Sequence, residues 1–323
     1  MPAPWITYRP ELKVLDCTIR DGGLVNSHQF DESFVRGVYE TCVNAGIDYM
    51  EIGYRNAKRF FAPDKYGRWM FCEEDTIRRI VGDNPGPVKL SVMIDAGKSD
   101  WKSDIPPKDK SVVDMVRVAF YAHQVSEAVE MIKHAVDCGY EVSANIMAIS
   151  RNTETEIDQV LELLVQTPAH VLVVVDSFGS LYMEQVELLV KKYLNFARPV
   201  GKEVGIHAHN NQQLAFANTI EAIIHGANRV DASLGGLGRG AGNCPTELLI
   251  GFLRNPKFRI RHIYEFLEKH IEPLRQQWEW GPYVQYNITG QLNLHPRAAI
   301  EARSSLEKKN SYVEFYDKVT SES

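Results

Sequence analysis

The chain contains no uninterrupted run of about 18 apolar residues, so no membrane-spanning helix is expected. Cysteine is scarce. Five residues, at positions 17, 42, 72, 138 and 244, are widely scattered and form no Cys-x-x-Cys pair. That spacing excludes a disulfide framework and fits reduced thiols in a cytoplasmic setting. There is no long basic tract and the formal net charge is −6, which argues against a nucleic-acid partner. The opening Met1-Pro2-Ala3-Pro4-Trp5 has no cationic segment leading into an apolar one, so a secretory leader is not expected. The sequon Asn287-Ile288-Thr289 is then a chance match. Internal repeats and low-complexity tracts are absent. So is a Gly-x-Gly-x-x-Gly turn after the first strand-like run, which disfavours an open dinucleotide-binding sheet.

What is present is an ordinary globular balance: 44% hydrophobic and 24% charged residues over 323, enough for one large α/β domain or two small ones. Strand-like apolar runs occur at 12–18, 47–53, 88–94, 113–120, 141–148, 170–176, 203–209 and 229–234. Between them, 31–45, 73–81, 123–138, 154–167, 180–195 and 212–226 carry apolar residues at three- and four-residue spacing, as in Val125, Ala128, Val129, Ile132 and Val136. Cap-like residues such as Asn152-Thr153 and Asn210-Asn211 precede two of these helices. Eight strands alternating with helices predict an α/β fold, a (β/α)8 TIM barrel over 10–256. The segment 55–72, rich in aromatic and basic residues, reads as a long loop after the second strand. Beyond about residue 257 the alternation stops. A helix-like run at 261–279 leads into an aromatic stretch and further helix, so 257–323 is read as a C-terminal helical extension, not a second domain.

In such a barrel the chemistry gathers where strands end at their C-termini. Arg20 and Asp21 follow the first strand, Glu51 closes the second, Asp176 and Ser177 the sixth, His207 and His209 the seventh. His207 and His209 are one residue apart, and on a strand such residues project to the same side. Alone, a His-x-His pair is as readily two unrelated strand histidines. Convergence with Asp21 on one mouth points instead to a divalent ion, because two imidazoles and one carboxylate leave open coordination positions. Glu51 reads either as the partner that orients Arg20 or as a proton carrier, and Ser177 either as a substrate contact or as a helix cap. The charges of the 55–72 loop, with Arg55, Lys58, Arg59, Lys65 and Arg68, read as a solvated face or as an anion-attracting rim.

The motifs Thr18-Ile19-Arg20-Asp21-Gly22, Glu51-Ile52-Gly53, Val175-Asp176-Ser177, His207-Ala208-His209-Asn210-Asn211 and Gly236-Leu237-Gly238-Arg239-Gly240-Ala241-Gly242-Asn243 occur in this order across the barrel. They resemble the metal-dependent aldolases, lyases and synthases of the DRE-TIM superfamily, the 4-hydroxy-2-oxovalerate aldolase group most of all. The resemblance implies Asp21, His207 and His209 as metal ligands, Arg20 as the group that steadies an enolate, and Asn243 near the ion or substrate. It implies an aldolase or lyase that makes or breaks a C–C bond through the enolate of a pyruvate-like 2-oxo acid, with an aldehyde as the other small molecule. Mn2+ or Mg2+ suits such a ligand set and an oxygen-chelating substrate, with Zn2+ or Co2+ as alternatives. An aldehyde dehydrogenase partner is implied by the same group, while the aromatic C-terminal segment could instead serve a homodimer.

One departure matters. That group carries a histidine base three residues after the motif aspartate, and here the position is Leu24. His28 and Tyr286 are carried as candidate catalytic groups, beside Tyr54, His123 and Tyr283. A synthase joining an acyl-CoA to a 2-oxo acid, or a metal-bearing barrel without turnover, remain the competing readings. The cysteine-bearing loop of hydroxymethylglutaryl-CoA lyases has no counterpart, since Cys244 comes after Asn243, and it reads as a small buried residue.

Overall fold

The computed structural model describes residues 9–321. Eight parallel strands close into a barrel in sequence order: β1 (Lys13–Asp16), β2 (Tyr49–Tyr54), β3 (Lys89–Asp95), β4 (Met115–Phe120), β5 (Glu141–Ile146), β6 (Val171–Asp176), β7 (Glu203–Ala208) and β8 (Arg229–Ala232). Closure comes from β8 against β1, with Lys13 opposite Arg229 and Asp16 opposite Ala232. Helices lie between the strands, so each strand is covered on one side and packed against the barrel interior on the other. That is why β4 and β6 read as near-continuous apolar runs and are buried along their whole length. Each fully buried Val, Leu or Ile contributes roughly 1.5–3 kcal/mol. The main apolar cluster joins Val92, Val116, Val142 and Leu172 of the strands to Val35, Ile77, Ile132, Leu161 and Val190 of the helices.

The helix signals work locally as expected. Thr153 accepts the Glu156 backbone N–H while Glu156 reaches back, a reciprocal cap on the helix Glu154–Val165. The helix Glu32–Ala45 ends on Gly46 in the left-handed region at φ 75°, where an added Cβ would sit 2.4 Å from the Lys257 carbonyl oxygen. Only a four-residue helix, Trp101–Asp104, stands between β3 and β4, where no helical period is found in the sequence.

Two differences from the sequence reading have physical causes. The first strand stops at Asp16, not at 18, and Arg20 and Asp21 lie on a single-turn helix, Thr18–Gly22. The Asp16 carboxylate accepts both the Thr18 N–H (3.1 Å) and its hydroxyl (2.8 Å), turning the chain out of the strand. In the extension, the helix that begins at Ile260 widens into a π-turn at Leu267–Ile271 just before Pro273. Proline has no N–H to continue the regular ladder. Beyond it, helices Val284–Gln291, Arg297–Ser304 and Tyr312–Ser321 gather Tyr286, Ala299, Phe315 and Val319 against Ala241 of the loop after β8. A tether fixes this extension to the barrel: Ser150 donates to Asn293 Oδ1 (2.7 Å), and Asn293 Nδ2 donates to the Ser150 carbonyl (2.8 Å).

Candidate metal centre

The barrel interior is layered. Leu15, Tyr49, Met115, Val171 and Val173 form an apolar plug, and above it charged side chains replace hydrocarbon. Arg117 of β4 donates to Glu51 of β2 (3.1 Å), to Asp231 of β8 (2.5 Å) and to Asn145 of β5 (3.0 Å). Glu51 Oε2 also accepts Arg20 Nε at 2.7 Å, and Arg20 Nη1 donates to Asp21 Oδ1 at 2.9 Å. All these groups are buried, and each charge faces an opposite one, the condition under which buried ions are tolerated.

At the top of this network Asp21 Oδ2 lies 3.8 Å from His209 Nε2 and 4.0 Å from His207 Nε2. The imidazoles stand nearly perpendicular, at 84°, with centroids 5.0 Å apart. Those separations are too long for hydrogen bonds. A single ion with ligand distances of about 2.1 Å spans them. Two further observations fit an ion. Asp21 Oδ2 and His207 Nε2 are buried without any hydrogen-bond partner. His207 Nδ1 lies 3.0 Å from Asp231 Oδ2, which fixes the tautomer and aims Nε2 at the triad, as metal-binding histidines require.

The electrostatics agree. Burial opposes a charge on Asp21, but its cationic neighbours, Arg20 and Arg239 among them, outweigh it and hold the carboxyl well below its usual range. Burial pushes His209 well below the ordinary histidine value, leaving a neutral imidazole able to donate a lone pair. The glycine-rich loop presses on this centre. At Gly238 an added Cβ would lie 2.9 Å from Asp21 Oδ2 and 2.2 Å from Asn243 Nδ2, so only glycine fits. A second group of candidate ligands, Glu187, Glu221 and His225, is half exposed on the outer helices, and its His225 already meets Glu221 at 2.8 Å.

The other sequence candidates fall into place unequally. Asn243 bridges to His209 across the two loops, and its Oδ1 is buried without a partner. Ser177 neither caps the following helix nor turns its hydroxyl oxygen freely to the mouth, for that oxygen accepts the Ala148 N–H at 2.8 Å. Tyr286 packs under Gly240 within the apolar cluster of the extension, and burial pushes its phenol up to about 12. Leu24 is 39% exposed. His28, by contrast, is fully buried in the left-handed region (φ 61°), edge-on to Tyr54 at 5.3 Å, with neither ring nitrogen hydrogen-bonded. Burial and the nearby Arg20 charge push it down to about 3. The basic loop after β2 is largely neutralised: Arg55 pairs with Glu74, Lys58 with Glu73, Arg59 with Asp100 and Arg68 with Glu32.

Arg117 and Asp231 were not singled out from the sequence. The available signal was a charged residue inside an apolar barrel strand, Met115-Val116-Arg117-Val118 and Arg229-Val230-Asp231-Ala232, where only an inward-facing partner makes it tolerable.

Comparison with known proteins gives a consistent picture. The HMGL-like family profile matches residues 112–268. A 4-hydroxy-2-oxovalerate aldolase of Bacillus cereus is 30% identical over 268 residues, 81% of this chain and 76% of that protein. One from Pelotomaculum thermopropionicum is 29% identical over 83% of this chain and 78% of its own length. Among solved structures, the N-terminal domain of a Bacteroides vulgatus protein provisionally named an aldolase superposes with a TM-score of 0.78 at 26% identity, covering 92% of this chain and 98% of that domain. The HMG-CoA lyase of Brucella melitensis shares the fold, with a TM-score of 0.66 at 17% identity over 82% of this chain and 99% of the lyase.

Proposed function

The chain belongs to the HMGL-like family of metal-dependent carbon–carbon lyases, and on that premise we propose that it makes or breaks the C3–C4 bond of a 4-hydroxy-2-oxo acid by way of a pyruvate-like enolate. The observation that carries this reading is Arg20. Its Nε and Nη1 are locked to Glu51 and Asp21, while Nη2 is buried beside the triad with no partner.

Asp21, His207 and His209 would hold a divalent ion, Mn2+ or Mg2+ by preference, whose Lewis acidity polarises the carboxylate and keto oxygens of a 2-oxo acid. Arg20 carries the next part of the chemistry. When the bond beta to the keto group breaks, its electron pair becomes the C2–C3 double bond and negative charge grows on the keto oxygen. A guanidinium already fixed in place stabilises that charge more in the transition state than in the ground state. Arg20 is held fully charged, because the carboxylates of Glu51 and Asp21 outweigh the effect of burial. Glu51 therefore acts on the reaction through Arg20, and Asp231 through His207.

Cleavage also releases the proton of the 4-hydroxyl. With Leu24 unable to take it, His28 is the neutral imidazole beside the Arg20–Asp21 pair that would accept it; burial and the Arg20 charge disfavour its imidazolium, so it relays the proton to C3 of the enolate instead of holding it. Proton and electron pair are then conserved across the step.

The test is exchange of pyruvate methyl protons with deuterium, followed by NMR in the Mg2+-loaded protein and in a metal-free control. Metal-dependent exchange supports enolate formation. Bound metal without exchange would overturn it in favour of a barrel that holds an ion without this turnover.

A further inference from the structure

Arg239, half-buried in the glycine-rich loop after β8, stands apart from the arginines that are buried or half-buried around the barrel. Arg20, Arg55, Arg117 and Arg229 each have a carboxylate in ion-pair contact. Among the described residues Arg239 has none within ion-pair distance. Its Nη2 donates to the Ser177 carbonyl at 2.7 Å, its Nε is buried without a partner, and its Nη1 lies 3.4 Å from His295 Nε2. A Cβ added at its loop neighbour Gly238 would reach Asp21, and its charge is among those acting on Asp21 and His209, so it faces the same mouth as the triad.

The approach of His295 is the informative part. This residue comes from the C-terminal extension, two positions beyond the Asn293 tether, and sits edge-on to Phe178 at 5.5 Å. Its Nδ1 accepts the Arg297 backbone N–H at 3.1 Å. A neutral imidazole with an accepting Nδ1 carries its proton on Nε2. Burial, with the charges of Arg239, Arg297 and Lys98, pushes the ring down to about 4, so it is neutral near pH 7. Two N–H donors, from Arg239 Nη1 and His295 Nε2, therefore converge with no acceptor between them. A half-buried guanidinium with no ion-pair carboxylate and a buried, unpartnered Nε, beside a second donor, is best satisfied by an anion lying against both.

We propose that Arg239 and His295 recognise a carboxylate on the substrate, carried on the far side of the scissile bond from the metal-bound 2-oxo acid end. The aldehyde half is then itself an acid, and the substrate is a 4-hydroxy-2-oxo diacid. This rests on the lyase reading given above. The planar fork of arginine matches two carboxylate oxygens, and the imidazole N–H beside it, 3.4 Å from Nη1, adds direction.

The experiment compares aldol addition of pyruvate to glyoxylate, an anionic aldehyde, and to acetaldehyde, a neutral one, in the Mg2+-loaded protein. Glyoxylate is expected to be favoured at least 100-fold in kcat/KM. Arg239→Met and His295→Phe should each lower that ratio at least tenfold, chiefly through KM for glyoxylate, with Arg239→Lys recovering only part of it. Pyruvate exchange in the wild-type protein with an unchanged ratio in both variants would overturn this proposal and leave the lyase reading standing. If wild-type protein catalyses neither exchange nor addition, the lyase reading fails, and the anion site is judged by titrating malonate and inorganic phosphate against the His295 nitrogen NMR signals. Malonate binding lost in Arg239→Met would support it. No binding, or preference for phosphate, would overturn it.

Discussion

Asp231→Asn is the sharpest perturbation of the proposed centre, because one oxygen serves two partners. Asp231 Oδ2 accepts from Arg117 at 2.5 Å and lies 3.0 Å from His207 Nδ1. The carboxamide keeps the shape and an oxygen for both contacts but loses the charge that Arg117 and His207 share. Arg117 keeps Glu51 and Asn145, so the stability loss should sit at the lower end for a broken buried ion pair, about 3 kcal/mol. His207 Nδ1–H then meets a neutral amide oxygen in place of the carboxylate that holds its tautomer. Removing such a support lowers metal affinity roughly 10–100-fold, or about 1.4–2.7 kcal/mol. Calorimetric titration with Mn2+ measures the affinity, and urea unfolding of the metal-free protein measures stability. Weakened stability with unchanged Mn2+ affinity would refute the claim that Asp231 acts on the ion through His207 and leave it a partner of Arg117 alone.

Other expected outcomes are as direct. His207→Ala should abolish stoichiometric metal binding, measured by elemental analysis after gel filtration; full retention would remove it from the ligand set. Arg20→Ala should keep the metal yet slow pyruvate exchange about 100- to 1,000-fold, on the scale of losing a preorganised oxyanion donor. His28→Gln should slow cleavage about 100- to 10,000-fold while leaving Mn2+ affinity within twofold; wild-type rates would send the search for the base elsewhere. Burial raises Asp16 to about 7 and Asp176 to about 6. Both pKa values lie above the unfolded value of about 3.9, so the folded state binds more protons there, and the contribution of these two groups to stability is fullest below pH 4 and is lost as pH rises toward 7. Asp16→Asn should flatten the pH dependence of the metal-free unfolding free energy, measured by urea titration between pH 4 and 7, by up to about 1.4 kcal/mol per pH unit, and an unchanged slope would contradict that origin.

Much of the barrel was legible because its parallel strands are covered on both faces and print as apolar runs, while the outer helices print a period near 3.6. Asp21, His207 and His209 were legible for a related reason. The i, i+2 rule is local, and the barrel sends every strand end to one mouth. The support beneath them was not. Glu51, Arg117 and Asp231 meet across 66 and 114 residues, and which inward charges face each other depends on strand register, not on neighbours in the chain. His295 was hidden more deeply, since its place depends on the Asn293–Ser150 tether between extension and barrel. The packing of Tyr286 was equally hidden, because its aromatic surface meets the loop after β8 only once the extension folds back on the barrel.

The shared arginine at the barrel's centre also bears on how the chain can be divided. Arg117 lies on β4, but its partners come from β2, β5 and β8. A fragment ending after β4 would retain Glu51 and lose Asp231, and one starting at β5 would carry Asp231 and Asn145 with no cation to meet. The second half would strand the Asp231 carboxylate, and the first would leave Arg117 with one of its three partners. This barrel should therefore resist the separation into two self-folding half-barrels that eightfold geometry invites, and co-expressed halves cut between Phe120 and Glu141 should gain their structure only by finding each other.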